Sequence, residues 1–324
     1  MHMSDALLSA PVAIVADVAA ASLLALAAFR LKKEPKENLV PLMGVMGAFV
    51  FAAQMVNFSI PGTGSSGHIV GGVLLAAMLG PWAGFLTLAS VLIIQCLVFA
   101  DGGLMALGCN ILNMGAMTAL VAYPLFFRPL LRFPSPAWKV TAVSVLACVL
   151  GLELGACMVT LETVASGITA LPAGRFFLLM TGIHLCIGLG EGLATAAVLL
   201  FVQRSRPALL MPDSVRNEPR RGVRATVIIF AAAAALIAGG LALLASSDPD
   251  GLEWSISKLT GTTDLAAQHV SALSQGAAAA QEATSIMPDY DSSFAGIVGA
   301  VMVLILVWAV TGLILKKRHA GARA

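Results

Sequence analysis

Two histidines in this 324-residue chain stand where they could hold a metal ion: His2, directly after Met1 in MHMSDALLSA, and His68, closing the glycine–serine stretch IPGTGSSGHIVGG. A histidine in second position offers three nitrogens within one short chelate. These are the α-amine of Met1, the His2 amide nitrogen once deprotonated, and the imidazole Nδ1. Deprotonating a backbone amide is repaid best by ions that favour a square-planar field, Cu(II) and Ni(II). A fourth donor is missing, and an imidazole from elsewhere in the chain would supply it. Taken alone, either histidine is more often an ordinary interfacial or capping residue; the meeting of two on one side of the membrane, one beside a free amine, brings the metal-site reading level with it.

The elements that must position this pair are membrane helices. Of the residues, 59% are hydrophobic and 11% charged, with a mean hydropathy of +0.92, which marks a polytopic membrane protein. A net charge of +2 is too small to suggest a nucleic-acid partner. Cys96, Cys109, Cys148, Cys157 and Cys186 all lie in apolar runs without a CxxC pair and read as packed small hydrophobes. Nothing basic precedes the first apolar run, whereas RLKKEPKEN follows it, so this run is expected to remain as a span with its N-terminus outside.

Apolar runs predict spans near 6–29, 39–57, 69–80, 83–99, 103–127, 139–161, 174–202, 225–245 and 294–315. The third is too short for a hydrocarbon core of about 30 Å, so the glycine-rich loop before it is expected to dip inward, lining a cavity. With the N-terminus extracytoplasmic and the C-terminus cytoplasmic, 17 of the 19 Lys and Arg fall on the cytoplasmic side. The polar, basic segment 204–224 reads as a cytoplasmic linker. The predicted architecture is all-α: a seven-span bundle with a short third helix over 1–203, then a two-span domain over 225–324 with an extracytoplasmic loop. That loop is too poor in large apolar residues to build its own core and is expected to rest on the bundle.

Further polar residues punctuate the spans. Ser65 and Ser66 are placed to orient the His68 imidazole, and Asn113 lies at the depth where the two histidines would meet. His184 and Glu191 are two helical turns apart and share a face. Glu153 and Glu162 receive no role. Small residues in the first span, Ala19, Ala20, Ala21, Ala25, Ala27 and Ala28, suit close helix contact. No GxxxxGK[ST] motif is present, and neither HExxH nor GxSxG supports an intramembrane hydrolase built on His184 and Glu191.

The start MHMSDALLSA, the loop PGTGSSGHIVGG, the turn LGPWAG, the asparagine pair in GCNILNMG and the helix HLCIGLGEGLAT resemble the substrate-binding membrane subunit of nickel/cobalt energy-coupling factor (ECF) transporters. The second block, with SSDPDGLEW at 246–254, resembles the small companion subunit of the nickel members, a PDGLE-type domain. The chain departs from the family's usual pattern at Met3 and Asp5-Ala6-Leu7. The resemblance implies a metal site made of the Met1 amine, the His2 amide and imidazole, and His68. It also implies Ni2+ as cargo, Co2+ being the alternative, with no prosthetic group and no enzymatic activity in this chain. Its expected partners are a transmembrane coupling subunit and two cytoplasmic ATP-binding subunits, in the cell's inner (plasma) membrane. An ECF vitamin carrier, in which His2 is incidental, is the remaining transport alternative.

Overall fold

The computed structural model of the chain describes residues 1–33, 39–210, 220–263, 265, 271–290 and 294–321. Residues 211–219 of the linker read at 204–224, and Lys36, Arg216 and Arg323 of the basic count, lie outside the described residues. After a single 3-10 turn at Asp5–Leu7 come α1 (Ala10–Lys33) and α2 (Leu39–Gln54). An antiparallel pair, β1 (Phe58–Ile60) and β2 (Ser65–Gly67), leads into a short α3 (Gly72–Leu79) and α4 (Pro81–Phe99). A continuous helix α5 (Leu107–Leu130) follows, then α6 (Ala137–Ser166) and α7 (Ala173–Ser205). The second block holds α8 (Arg220–Gly239), two short helices α9 (Gly251–Thr260) and α10 (Ala272–Thr284), and α11 (Ala295–Gly321). Among the described residues, seven helices are long and apolar enough to cross a membrane, and α2 is a shorter apolar helix.

The architecture is the all-helical one expected, with one local difference. The loop before the third helix pairs with itself instead of running as irregular coil, in the register Phe58↔Gly67, Ser59↔Ser66 and Ile60↔Ser65. Hairpin pairing satisfies backbone groups that apolar surroundings would leave unbonded. Gly62 and Gly64 at its tip take positive φ, which the turn demands. Helix α3 then spans only eight residues, ending at Gly80, and Pro81 starts α4 where a missing N–H costs nothing.

Helix α4 is the centre of the bundle, with α2, α3 and α5 against it. Helix α1 lies on the periphery and presents Ala13, Ala16, Ala20 and Ala27 inward, while Ala21 and Ala25 face the opposite way. Its one buried-side carboxylate, Asp17, accepts from the Gly108 N–H (2.9 Å) at the start of α5 and so caps that helix. Helices α8 and α11 pack on α2, while α9 sits on α7 and β2, so the segment between the last two spans does rest on the bundle.

Close approach of α3 to α4 depends on Gly84, where a Cβ would stand 2.7 Å from the Ala76 nitrogen. Gly84→Ala is expected to lower stability in detergent by about 1–3 kcal/mol through overpacking. Gly174, with open space around it, serves as the control: its Ala variant should gain up to about 1 kcal/mol from helix propensity. Equal thermal-unfolding midpoints for the two variants would refute this account of the packing.

Candidate metal centre

The first eight residues run into the bundle, with Met1, Met3, Leu7 and Leu8 all buried. Asn110 on α5 clamps this segment as a strand partner would: its Oδ1 accepts from Met3 N–H (2.8 Å) and its Nδ2 donates to the Met3 carbonyl (3.2 Å). The Gly103 N–H donates to the same carbonyl (2.9 Å), and Asp5 accepts from Ala106 N–H (3.0 Å). The chain after α4 approaches so closely that a Cβ on Gly102 would lie 2.7 Å from Asn110 Nδ2 and 3.3 Å from His2 Cβ. Gly102 also has φ +78°, a conformation that favours glycine.

This clamp carries His2 to His68. The two rings stack with centroids 5.5 Å apart and 25° between planes, and His68 and the His2 side chain are 8% and 7% exposed. The Met1 ammonium donates to Asp250 Oδ2 at 2.5 Å. Met1, His2 and His68, far apart in sequence, are therefore neighbours in space. His2 Nδ1 lies 3.2 Å from Asp101 Oδ1 and its Nε2 3.2 Å from Gln95 Oε1. His68 Nδ1 donates to the Ile69 carbonyl (2.9 Å), which leaves the Nε2 lone pair free for an electrophile.

Electrostatics keep both imidazoles neutral. Burial lowers the His68 pKa to about 4, with the Met1 ammonium and His2 adding to the effect. His2 is also lowered, by burial first, and Asp101 opposes the shift. Burial raises Asp250, but the Met1 ammonium, by its charge and its hydrogen bond, outweighs it together with a backbone N–H and holds this carboxyl below the usual range. Among the described residues, no three His, Cys, Asp or Glu side chains gather at metal-binding spacing. A metal ion held here would therefore need the backbone nitrogens of Met1 and His2 beside the two imidazoles. The rings border an open cavity of about 1040 Å³ that is also lined by Gln54, Gln95, Asp101 and Asp250.

The three supporting residues expected from sequence do other work. Ser66 donates through Oγ to the Asp248 carbonyl (2.7 Å) and through N–H to the Pro249 carbonyl (2.8 Å), and Ser65 Oγ lies 3.3 Å from the Pro249 carbonyl. They dock the second block onto the hairpin, where Trp254 Nε1–H also donates to the Thr63 carbonyl (2.9 Å). Asn113 donates to Glu162 (2.6 Å) and to the Met3 sulfur (3.6 Å). Glu191 accepts from the N–H groups of Val70 and Gly71 (2.8 and 2.9 Å) and so pins the chain just after His68. His184 donates from Nδ1 to the Met180 carbonyl (2.7 Å), and Glu153 is not among the residues that line the cavity bordered by the two rings.

Asp250, Gln54 and Gln95 were not anticipated. For Asp250 the signal was present in DGLE, a capping-box pattern: Oδ1 accepts from Leu252 N–H and Glu253 N–H while Glu253 accepts from Asp250 N–H. Oδ2 is thereby left over for the amine. The two glutamines are lone amides within apolar runs, and such residues warrant attention by default.

The family model for the cobalt uptake substrate-specific transmembrane region matches residues 2–209, and that for the PDGLE domain matches residues 224–317. The chain belongs to this nickel/cobalt transport family. A relative from Archaeoglobus fulgidus, bearing the name of a fused nickel transport protein NikMN, is 32% identical over 96% of this chain and 98% of its own. The cobalt transport protein CbiM of Sorangium cellulosum is 28% identical over 65% of this chain and 94% of its own. A crystal structure of a truncated transition metal transporter superposes with a TM-score of 0.54 at 29% identity, covering 63% of this chain and 99% of that one. The protein is thus a multi-pass membrane component of a metal transport system.

Because Asp250 both caps α9 and holds the amine, the two roles separate by substitution. Asp250→Asn keeps a good cap but removes the charge. Loss of one partner from a buried pair costs about 3–5 kcal/mol, enough to release the N-terminal segment. The Met1 amine should then react with an amine-specific reagent that leaves the parent protein unlabelled. Equal protection of the amine in both proteins would remove Asp250 from this role.

Proposed function

We propose that this chain is the substrate-specific component of an ATP-driven ECF-type importer. It takes Ni2+ from the extracytoplasmic side through the Met1 amine, the His2 amide and Nδ1, and the His68 imidazole. The observation that carries this reading is the meeting of a chain terminus and two buried imidazoles inside an apolar bundle. Four nitrogen donors of this kind suit a tetragonal field, and amide ligation favours Ni2+ among the ions the family handles. Co2+ is the alternative cargo.

Loading exchanges contacts within the site. The amine leaves Asp250 and His2 Nδ1 turns from Asp101 to the ion, so the two carboxylates stay beside the cation as compensating charge. Ligand groups bind deprotonated, so protons leave as the ion enters. A tight chelate releases its cargo only when work is done on it. That work falls to a transmembrane coupling subunit and two cytoplasmic ATPases that reorient this chain in the inner membrane, whose N-terminus faces outward. The division of labour follows the chain: 1–203 carries the site, 204–224 links, and 225–324 covers the site with its extracytoplasmic segment.

The reading is tested by titrating the purified full chain with Ni(II) and Co(II). The parent should give a diamagnetic, square-planar Ni(II) spectrum. His68→Ala should lose that signature, and one residue added before Met1 should abolish it by turning the amine into an amide. Retention of the spectrum in both variants sinks the chelate, and metal-independent uptake of an organic solute by His2→Ala would favour the vitamin carrier.

A further inference from the structure

We infer that Gln54 and Gln95 form a relay that sets the tautomer of His2, so that Nδ1 and not Nε2 offers its lone pair to the ion; the inference rests on the chelate proposed above. Both side chains are buried, 5% and 2% exposed, at the ends of α2 and α4 nearest the site. The relay starts on the Val70 carbonyl, which can only accept. Gln54 must therefore turn its NH2 toward it, and does so at 2.8 Å. That leaves Gln54 Oε1 facing Gln95, whose Nε2 donates to it at 2.9 Å. Gln95 in turn has only its carbonyl oxygen left for His2, 3.2 Å from Nε2.

The group that satisfies this oxygen is Nε2–H. Inverting any one amide would set like atoms face to face at hydrogen-bond distance, so the orientation imposed at Val70 propagates to the imidazole. The origin of the relay is itself immobilised, since the Val70 N–H and the Gly71 N–H are both held by Glu191. Asp101 faces the opposite edge of the ring and is anchored through its Oδ2 by Tyr290 O–H at 2.7 Å. Asp101, 26% exposed and within reach of water, and the buried Gln95 oxygen compete for the single proton of the neutral ring; Gln95 holds it at Nε2, and Nδ1 is left for the ion.

The consequence is specific to position two. Only Nδ1 lies within ring-closing reach of the residue's own amide nitrogen, so a His2 protonated at Nδ1 could not complete the chelate. His68 is set the other way, with Nδ1–H on the Ile69 carbonyl and Nε2 free. The two imidazoles thus present complementary nitrogens, and Gln54, which touches neither ring, is part of the reason. Gln54 and Gln95 are positioning residues.

The test uses the full chain labelled with 15N-histidine in detergent, metal-free and well above the ordinary histidine pKa of about 6.5, with His2 assigned against His2→Ala. The parent should show His2 protonated at Nε2. Gln95→Leu should give mixed tautomers and bind Ni(II) about 10–100-fold more weakly, the range typical for loss of a partner that orients a ligand. Gln54→Leu should shift both readouts in the same direction, and Gln95→Glu, which keeps an acceptor for Nε2–H, should restore the parent tautomer. An unaltered tautomer in Gln95→Leu, or undiminished Ni(II) affinity, overturns the relay. Failure of the parent to bind Ni(II) or Co(II) would instead overturn the chelate, and the metal-free tautomer comparison would still decide the relay.

Discussion

A positively charged chain end buried in an apolar bundle is the constraint on which the rest of this structure depends. Taking one ion out of water costs several kcal/mol unless a counter-charge and hydrogen bonds replace the solvent. Here the Asp250 carboxylate meets the Met1 ammonium, and the Asn110 amide and the Gly103 N–H take up the backbone of Met3. Without those groups the segment would sit in water, and the bundle would need large side chains to fill its place. Instead Gly102 and Gly103 leave room for it.

The same accounting explains four of the polar residues within the helices. Each is committed to a backbone N–H or C=O that no helix ladder satisfies. Asp17 caps α5, Asn110 pairs with Met3, Gln54 reaches the Val70 carbonyl, and Glu191 takes the next two N–H groups. Polar side chains in spans are thus the counterpart of non-helical backbone at depth. The β1–β2 hairpin is the part of that backbone that supplies its own partners.

What was legible in the sequence follows from which signals are local. Apolar run length and the spread of Lys and Arg suffice for the helices, and the position of Gly80-Pro81 marks the short α3. Placing His2 and His68 together required only a topology and two exposed loops. The hairpin was missed because its strands are three residues each, below the length at which alternation is visible. Ser65 and Ser66 were assigned to His68 by adjacency, yet their partners are more than 180 residues away in sequence. Long-range hydrogen bonding of this kind leaves no spacing to read, and Asp250, 249 residues from the amine it holds, is the extreme case.

That separation has a kinetic side. Because Asp250 is on the same chain as Met1, its encounter with the amine is intramolecular, at an effective concentration on the order of millimolar for a flexible tether. A free companion subunit would have to reach that level by expression alone. Covalent continuity makes the carboxylate's occupancy independent of how much protein the membrane holds, so a contact between residues 249 apart on one polypeptide keeps its one-to-one stoichiometry even at a few copies per cell.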